Sequence, residues 1–197
     1  MARSGAFWRH FLPIAQQFFP VALGDVALDD FVFAINAVRP SFIRVDADEV
    51  TYNLHIILRF ELEQALLSGE LAAADVPGAW NERFEALLGL TPPDDAQGCL
   101  QDVHWSGGGI GYFPTYTLGN LNAAQLFAAA GEAMPDLEAQ LARGAFGDLL
   151  GWLRESIHAR GQTHRAPQLI EIVTGEPLSH RALISHLRAK FGPLYGL

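Results

Sequence analysis

The run Ala47-Asp48-Glu49-Val50-Thr51-Tyr52-Asn53-Leu54-His55-Ile56-Ile57-Leu58-Arg59-Phe60-Glu61-Leu62-Glu63-Gln64-Ala65-Leu66-Leu67 contains no glycine and no proline. Val50, Leu54, Ile57, Leu58, Leu62 and Ala65 recur at the spacing of one helix face, and Tyr52, His55, Arg59 and Glu63 share another. The segment from Leu54 to Phe60 is apolar on most sides, which predicts a central helix rather than a peripheral one. Glu49 to Tyr52 has some strand character, but the length and period of the whole run decide for helix.

Working outward, the same period recurs almost everywhere. Phe7, Phe11, Ile14 and Phe18 predict a helix over 7–19 that Pro13 should kink or split and Pro20 should end. Asp25 is a candidate cap for a second helix carrying Leu28, Phe31, Val32, Ile35 and Val38, stopped by Pro40. On the other side, Pro77 suits a helical first turn, and Trp80, Phe84, Leu87 and Leu88 continue that helix to Gly89. Leu90 to Pro114 is rich in glycine and proline and is longer than an ordinary connection, so it reads as an ordered functional loop. Further helices are predicted over 115–133, 137–143, 146–160, 167–173 and 179–191, with Gly161 and Gly175 as stops. Strand signals are too weak to build a sheet. The fold class is all-α with little or no β, and residues 1–197 read as a single region.

Composition narrows the function classes. Half of the 197 residues are hydrophobic and 18% are charged, which favours a packed core over disorder. A net charge of −9 gives no basic footprint for nucleic acid. One cysteine, Cys99, excludes an internal disulfide framework and any multi-cysteine zinc site, and it reads as a small buried hydrophobe. No apolar run reaches the length of a membrane span, and the first ten residues do not resemble a signal peptide, so the expected compartment is the cytoplasm.

Three clusters could carry chemistry. In Ile43-Arg44-Val45-Asp46-Ala47-Asp48, Asp46 or Asp48 can cap the long helix. Arg44 opposes the helix dipole there, so it needs a carboxylate, either one of those aspartates or a ligand. In Gly98-Cys99-Leu100-Gln101-Asp102-Val103-His104-Trp105, Asp102 could orient His104, which could then donate to substrate or an oxyanion. In Gly107-Gly108-Gly109-Ile110-Gly111-Tyr112-Phe113-Pro114-Thr115-Tyr116, no Gly-Lys-Ser/Thr ending and no preceding strand support a phosphate loop. The two tyrosines, four apart at a helix start, either pack or present hydroxyls to a cleft. None of the seven histidines begins His-Glu-x-x-His, and no two are four apart, so no complete metal site is legible.

Taken together, Ile-Arg-x-x-Ala-Asp followed by Gly-x-x-Gln-Asp-x-His-Trp resembles two signature motifs of the M32 metallocarboxypeptidases, the thermostable or Taq-type carboxypeptidases. Gly111-Tyr112-Phe113-Pro114-Thr115-Tyr116 and the terminal Lys190-Phe191-Gly192-Pro193-Leu194-Tyr195-Gly196-Leu197 resemble the family as well. The resemblance implies an all-α fold whose helical lobes flank a deep peptide-binding cleft, with this chain as one wall. It implies that Arg44 binds the substrate's terminal carboxylate and that His104, steered by Asp102, hydrogen-bonds substrate. Tyr112 or Tyr116, with Tyr116 preferred, would polarise the scissile carbonyl, and the glycines would flex at the cleft. The family's zinc ligands, His-Glu-x-x-His and a later Glu, lie upstream of these motifs, and Ala2-Arg3-Ser4-Gly5-Ala6-Phe7-Trp8 resembles the stretch just past the last of them. The expectation is a C-terminal portion with no metal of its own, inactive alone, whose complete enzyme uses zinc or another divalent ion. Its partners would be a peptide C-terminus and the missing N-terminal half. Apolar surface left by that half would be open to homodimerisation. The alternatives are a non-catalytic module that binds peptide C-termini and a structural partner of a separately encoded half.

Overall fold

The computed structural model describes residues 1–197. Ten α-helices follow one another with no strand: α1 Gly5–Phe18, α2 Pro20–Leu23, α3 Leu28–Ile35, α4 Tyr52–Ser68, α5 Val76–Leu88, α6 Pro114–Ala133, α7 Leu137–Ala142, α8 Gly147–Ser156, α9 Ala166–Thr174 and α10 Arg181–Tyr195. Short 3₁₀ turns occupy Arg44–Asp46, Ala73–Asp75 and His158–Arg160. None of the helices is long and apolar enough to cross a membrane.

The chain divides into two compact units, one made of Met1–Asn36 with Asn120–Leu197 and the other of Ala37–Gly119. In the first, α1 packs on α3 and α7. Its core gathers Ala130, Leu137, Leu141 and Leu149, with Phe127, Phe146 and Trp152 against them. Ser4 caps α1 by accepting from the Phe7 amide at 3.2 Å. Pro13 lies inside α1 without splitting it. Asp25 is not the cap of α3: Ala27 holds that position with no side-chain bond, and α3 stops at Ile35, short of Pro40. Gly144, at φ +76°, turns the chain between α7 and α8, and a Cβ there would run into the His10 ring. Both the left-handed backbone and the close approach therefore require glycine.

The second unit is built on α4 and α5, which pack against each other. Leu58 and Leu62 of α4 meet Trp80, Phe84 and Leu88 of α5, with Cys99 from the loop closing the cluster. Gly89 ends α5 at φ +69°, as the sequence predicts. Helix α4 starts at Tyr52, later than the glycine-free run suggests. Asp48 nevertheless organises that start, since its carboxylate accepts from the Val50 amide at 2.8 Å and the Thr51 amide at 2.9 Å.

The face that α4 buries differs from the predicted stripe. His55, Arg59 and Glu63 are buried beside Ile56, Leu58 and Leu62, whereas Ile57 and Phe60 are about two-fifths exposed and Leu67 is 73% exposed. Burying three ionisable groups on one helix is costly unless each finds a counter-charge or hydrogen bond. That requirement leads to the loop.

Candidate functional site

The polar groups of α4 meet the loop between α5 and α6, all within the unit Ala37–Gly119. Asp102 is the hub. Its Oδ1 accepts from Arg44 Nη2 at 2.6 Å, and its Oδ2 accepts from Arg44 Nε at 3.2 Å and Arg59 Nε at 2.8 Å. Arg44 Nη1 donates to the Tyr52 hydroxyl at 2.9 Å. Two buried guanidiniums thus share one carboxylate, and the group keeps one unbalanced positive charge.

Aromatic faces complete the cage. The Arg44 guanidinium lies 4.8 Å from the Tyr116 ring centre and 5.7 Å from that of Phe113. Arg59 lies 4.6 Å from the Trp80 ring and 5.3 Å from Phe113. Such ring faces attract cations electrostatically. Burial pushes Arg59 down to about 10 despite Asp102. Burial opposes the charge on Arg44 too, but its hydrogen bonds and attraction to Asp102, aided by Tyr52, outweigh this and raise its pKa. For Asp102, burial works against ionisation, and the two arginines overcome it and lower its pKa.

Of the residues singled out in the sequence, Arg44, Asp102, His104, Tyr112 and Tyr116 come together. His104 Nε2 is 3.0 Å from the Tyr116 hydroxyl, with the direction of the hydrogen bond set by the imidazole tautomer. Tyr112 stacks on His104 at 5.7 Å and is half exposed, while Phe113 covers the ring from 4.4 Å. Two details differ from the sequence reading. The carboxylate that Arg44 finds is Asp102, not Asp46 or Asp48 of its own segment. Asp102 Oδ1 lies 3.9 Å from His104 Nδ1, beyond hydrogen-bond range, because the arginines take up its oxygens.

Four other residues belong to the site. Tyr52 and Arg59 were visible only as part of a polar helix face. Gln101 accepts from the Arg44 amide at 2.8 Å and donates to the carbonyls of Phe42 and Gln97, each at 2.9 Å, which joins the segment around Arg44 to the loop. Glu63 Oε1 accepts from Trp105 Nε1 at 2.8 Å. The available signal was the placing of His55, Arg59 and Glu63 at successive turns inside an otherwise apolar helix.

A family model described as carboxypeptidase Taq (M32) metallopeptidase matches residues 1–191. The chain belongs to the M32 family. Thermostable carboxypeptidase 1 of Thermus thermophilus is 53% identical over 196 residues, covering 100% of this chain and 38% of that protein. Carboxypeptidase 1 of Bacillus subtilis is 46% identical, over 99% of this chain and 39% of that protein. The M32 carboxypeptidase structure from Deinococcus radiodurans superposes with a TM-score of 0.96 at 46% identity, over 99% of this chain and 39% of that one. The chain therefore spans about two-fifths of the M32 relatives it matches, and the motifs place it in their C-terminal portion.

M32 peptidases are metal-dependent. Nowhere in the chain do three or more His, Cys, Asp or Glu side chains come together in a way that could hold a metal ion. The one carboxylate of the central cluster is already neutralised by two arginines, and a cation there would compete with both. These residues do not fit a metal.

Proposed function

We propose that this chain is the peptide-handling portion of a zinc-dependent carboxypeptidase. It would form one wall of a cleft in which a peptide loses its C-terminal residue. The observation that carries this reading is the unbalanced positive charge of the Arg44–Asp102–Arg59 cluster beside the His104–Tyr116 pair. A guanidinium has five N–H donors, and Arg44 commits three of them, to Asp102 and Tyr52. The others remain to take a terminal carboxylate, which would balance the cluster's charge.

His104 and Tyr116 hold a proton between Nε2 and the hydroxyl oxygen. With the proton on Nε2, the hydroxyl is free to donate to a carbonyl oxygen as negative charge develops on it. Tyr112, half exposed on the other side of His104, is the weaker candidate for that role.

On this reading the metal is held by residues other than these, and the chain alone hydrolyses nothing. Its partner is the remaining part of the enzyme. Large apolar side chains left open, Ile57, Phe60 and Leu67 in one unit and Phe18, Phe19 and Val21 in the other, support such a partner. The single thiol suits a reducing compartment such as the cytoplasm.

The test has two arms. The chain alone, given excess zinc and a blocked dipeptide, is expected to release no amino acid, and robust turnover would contradict the reading. In the chain assembled with the rest of the enzyme, Arg44→Ala should cost about 2–5 kcal/mol in kcat/KM for peptides with free C-termini and abolish their preference over amidated ones. Arg44→Lys should recover only part, because an ammonium lacks the planar fork. Undiminished discrimination in Arg44→Ala would make Arg44 a purely structural partner of Asp102.

A further inference from the structure

Arg59 and Glu63 stand one turn apart on α4 and are buried, at 0% and 2% exposure. Each binds a different residue of the same loop. Arg59 Nε donates to Asp102 Oδ2 at 2.8 Å, and Glu63 Oε1 accepts from Trp105 Nε1 at 2.8 Å. His104 lies between those two loop residues in sequence. The side chains of Leu100 and Val103 in the same loop are exposed at 71% and 78%, so they do not hold it by packing. Trp105 also sets its ring edge-on to Trp80 and Phe113, and Gln101 ties the loop's other end to Phe42 and Arg44. The His104 ring makes one side-chain hydrogen bond, to Tyr116, and its buried Nδ1 makes none. Nothing bonded directly to the imidazole therefore fixes both its height and its rotation.

We propose that Arg59 and Glu63 are positioning residues which clamp the loop at Asp102 and Trp105 and so fix the orientation of His104 toward Tyr116. The clamp acts through the backbone. With Asp102 and Trp105 pinned to successive turns of one rigid helix, the Cα of His104 has little freedom, and its Nε2 is delivered to the Tyr116 hydroxyl. Sites held on helices are more exact than sites left on loops, and here a loop gains that exactness from α4. This inference deepens the reading of His104 in the proposed function and rests on it for its significance, but its geometry is testable without substrate.

The experiment uses the 197-residue chain with ¹⁵N-labelled histidine and reads the ring nitrogens of His104 by NMR at a pH where the imidazole is neutral. The signal is assigned by its loss in His104→Gln. The wild type is expected to show an Nε2 shift displaced by its hydrogen bond to Tyr116. Glu63→Gln keeps a carbonyl acceptor for Trp105 and should leave those shifts in place. The double variant Glu63→Met/Trp105→Phe removes both partners, so neither end of their bond is left unsatisfied. It should melt close to the wild type, yet its His104 Nε2 should move to the shift of an imidazole without that bond. Arg59→Lys keeps the charge but loses the Nε donor, and it should move the shifts in the same direction. This second variant decides the matter if the double variant does not fold. Wild-type shifts in a folded double variant or in Arg59→Lys would overturn the clamp, as would a moved Nε2 shift in Glu63→Gln. Because these shifts are read without peptide or metal, failure of the Arg44 selectivity test leaves this result standing, and the reverse also holds.

Discussion

Replacing Asp102 with alanine is expected to destabilise the chain by at least about 3–5 kcal/mol, which is the scale for breaking a buried charge pair by removing one partner. Here a single substitution strips two buried guanidiniums, Arg44 at 5% and Arg59 at 0% exposure, of the only carboxylate they share. Each is then left beside the other with its charge uncompensated, and neither can lose it near neutral pH. Urea unfolding followed by circular dichroism measures the loss. The triple variant Arg44→Met/Arg59→Met/Asp102→Leu should be clearly more stable than Asp102→Ala, since apolar groups of similar volume avoid the desolvation of all three charges. A loss below about 1 kcal/mol in Asp102→Ala would mean that solvent reaches the cluster far more than the burial of its arginines implies.

Acid should weaken the fold in a window set by His55. This residue is fully buried and neither ring nitrogen has a partner. Burial first, and then the charges of Arg59 and Arg44, push its pKa down to about 4. Between its ordinary value near 6.5 and about 4, the unfolded chain binds a proton at His55 that the folded chain refuses. Stability from this group is therefore complete above pH 6.5 and falls as the pH drops toward 4, by about 3 kcal/mol across the window. Asp102 acts lower: its pKa is depressed, so its contribution is present above the ordinary carboxylate value and is lost only below it. Urea midpoints at pH 7.5, 5.5 and 4.5 separate the two. His55→Leu fills much of the same space against Phe84 and should flatten the slope above pH 4.5. An equal slope in that variant would place the acid sensitivity elsewhere.

The sequence made the helices legible because their signals are local. Pro77, Gly89 and Gly175 punctuate the chain where helical geometry needs them, and the loop from Leu90 to Phe113 follows from its glycines and prolines. The family was legible because two motifs preserve chemistry in a fixed order, and the match over residues 1–191 agrees with that reading. The buried face of α4 was not legible. Its apolar residues outnumber the polar ones on nearly every side, so periodicity could not show that His55, Arg59 and Glu63 turn inward. Glu63 and Arg59 are bonded there to groups 42 and 43 residues further along the chain, a separation that no local pattern reports. Asp25 failed as a cap for the opposite reason: the composition was right, but the helix begins beyond its reach.

The division of the chain sets an order of events during synthesis. Ala37–Gly119 is one unbroken stretch and contains every member of the Asp102 cluster together with His104, Tyr112 and Tyr116. The other unit is discontinuous, and its α1 rests on α7, which the ribosome makes much later. Domains usually mature from the N-terminus as they emerge, at roughly 5–20 residues per second. Here Met1–Asn36 must instead wait for Asn120–Leu197 to leave the exit tunnel before their shared packing can form. The stretch behind it can already assemble its arginine–carboxylate core in the meantime. Met1–Asn36 thus finds its partners within this chain only after the chemistry-bearing stretch Ala37–Gly119 has been made.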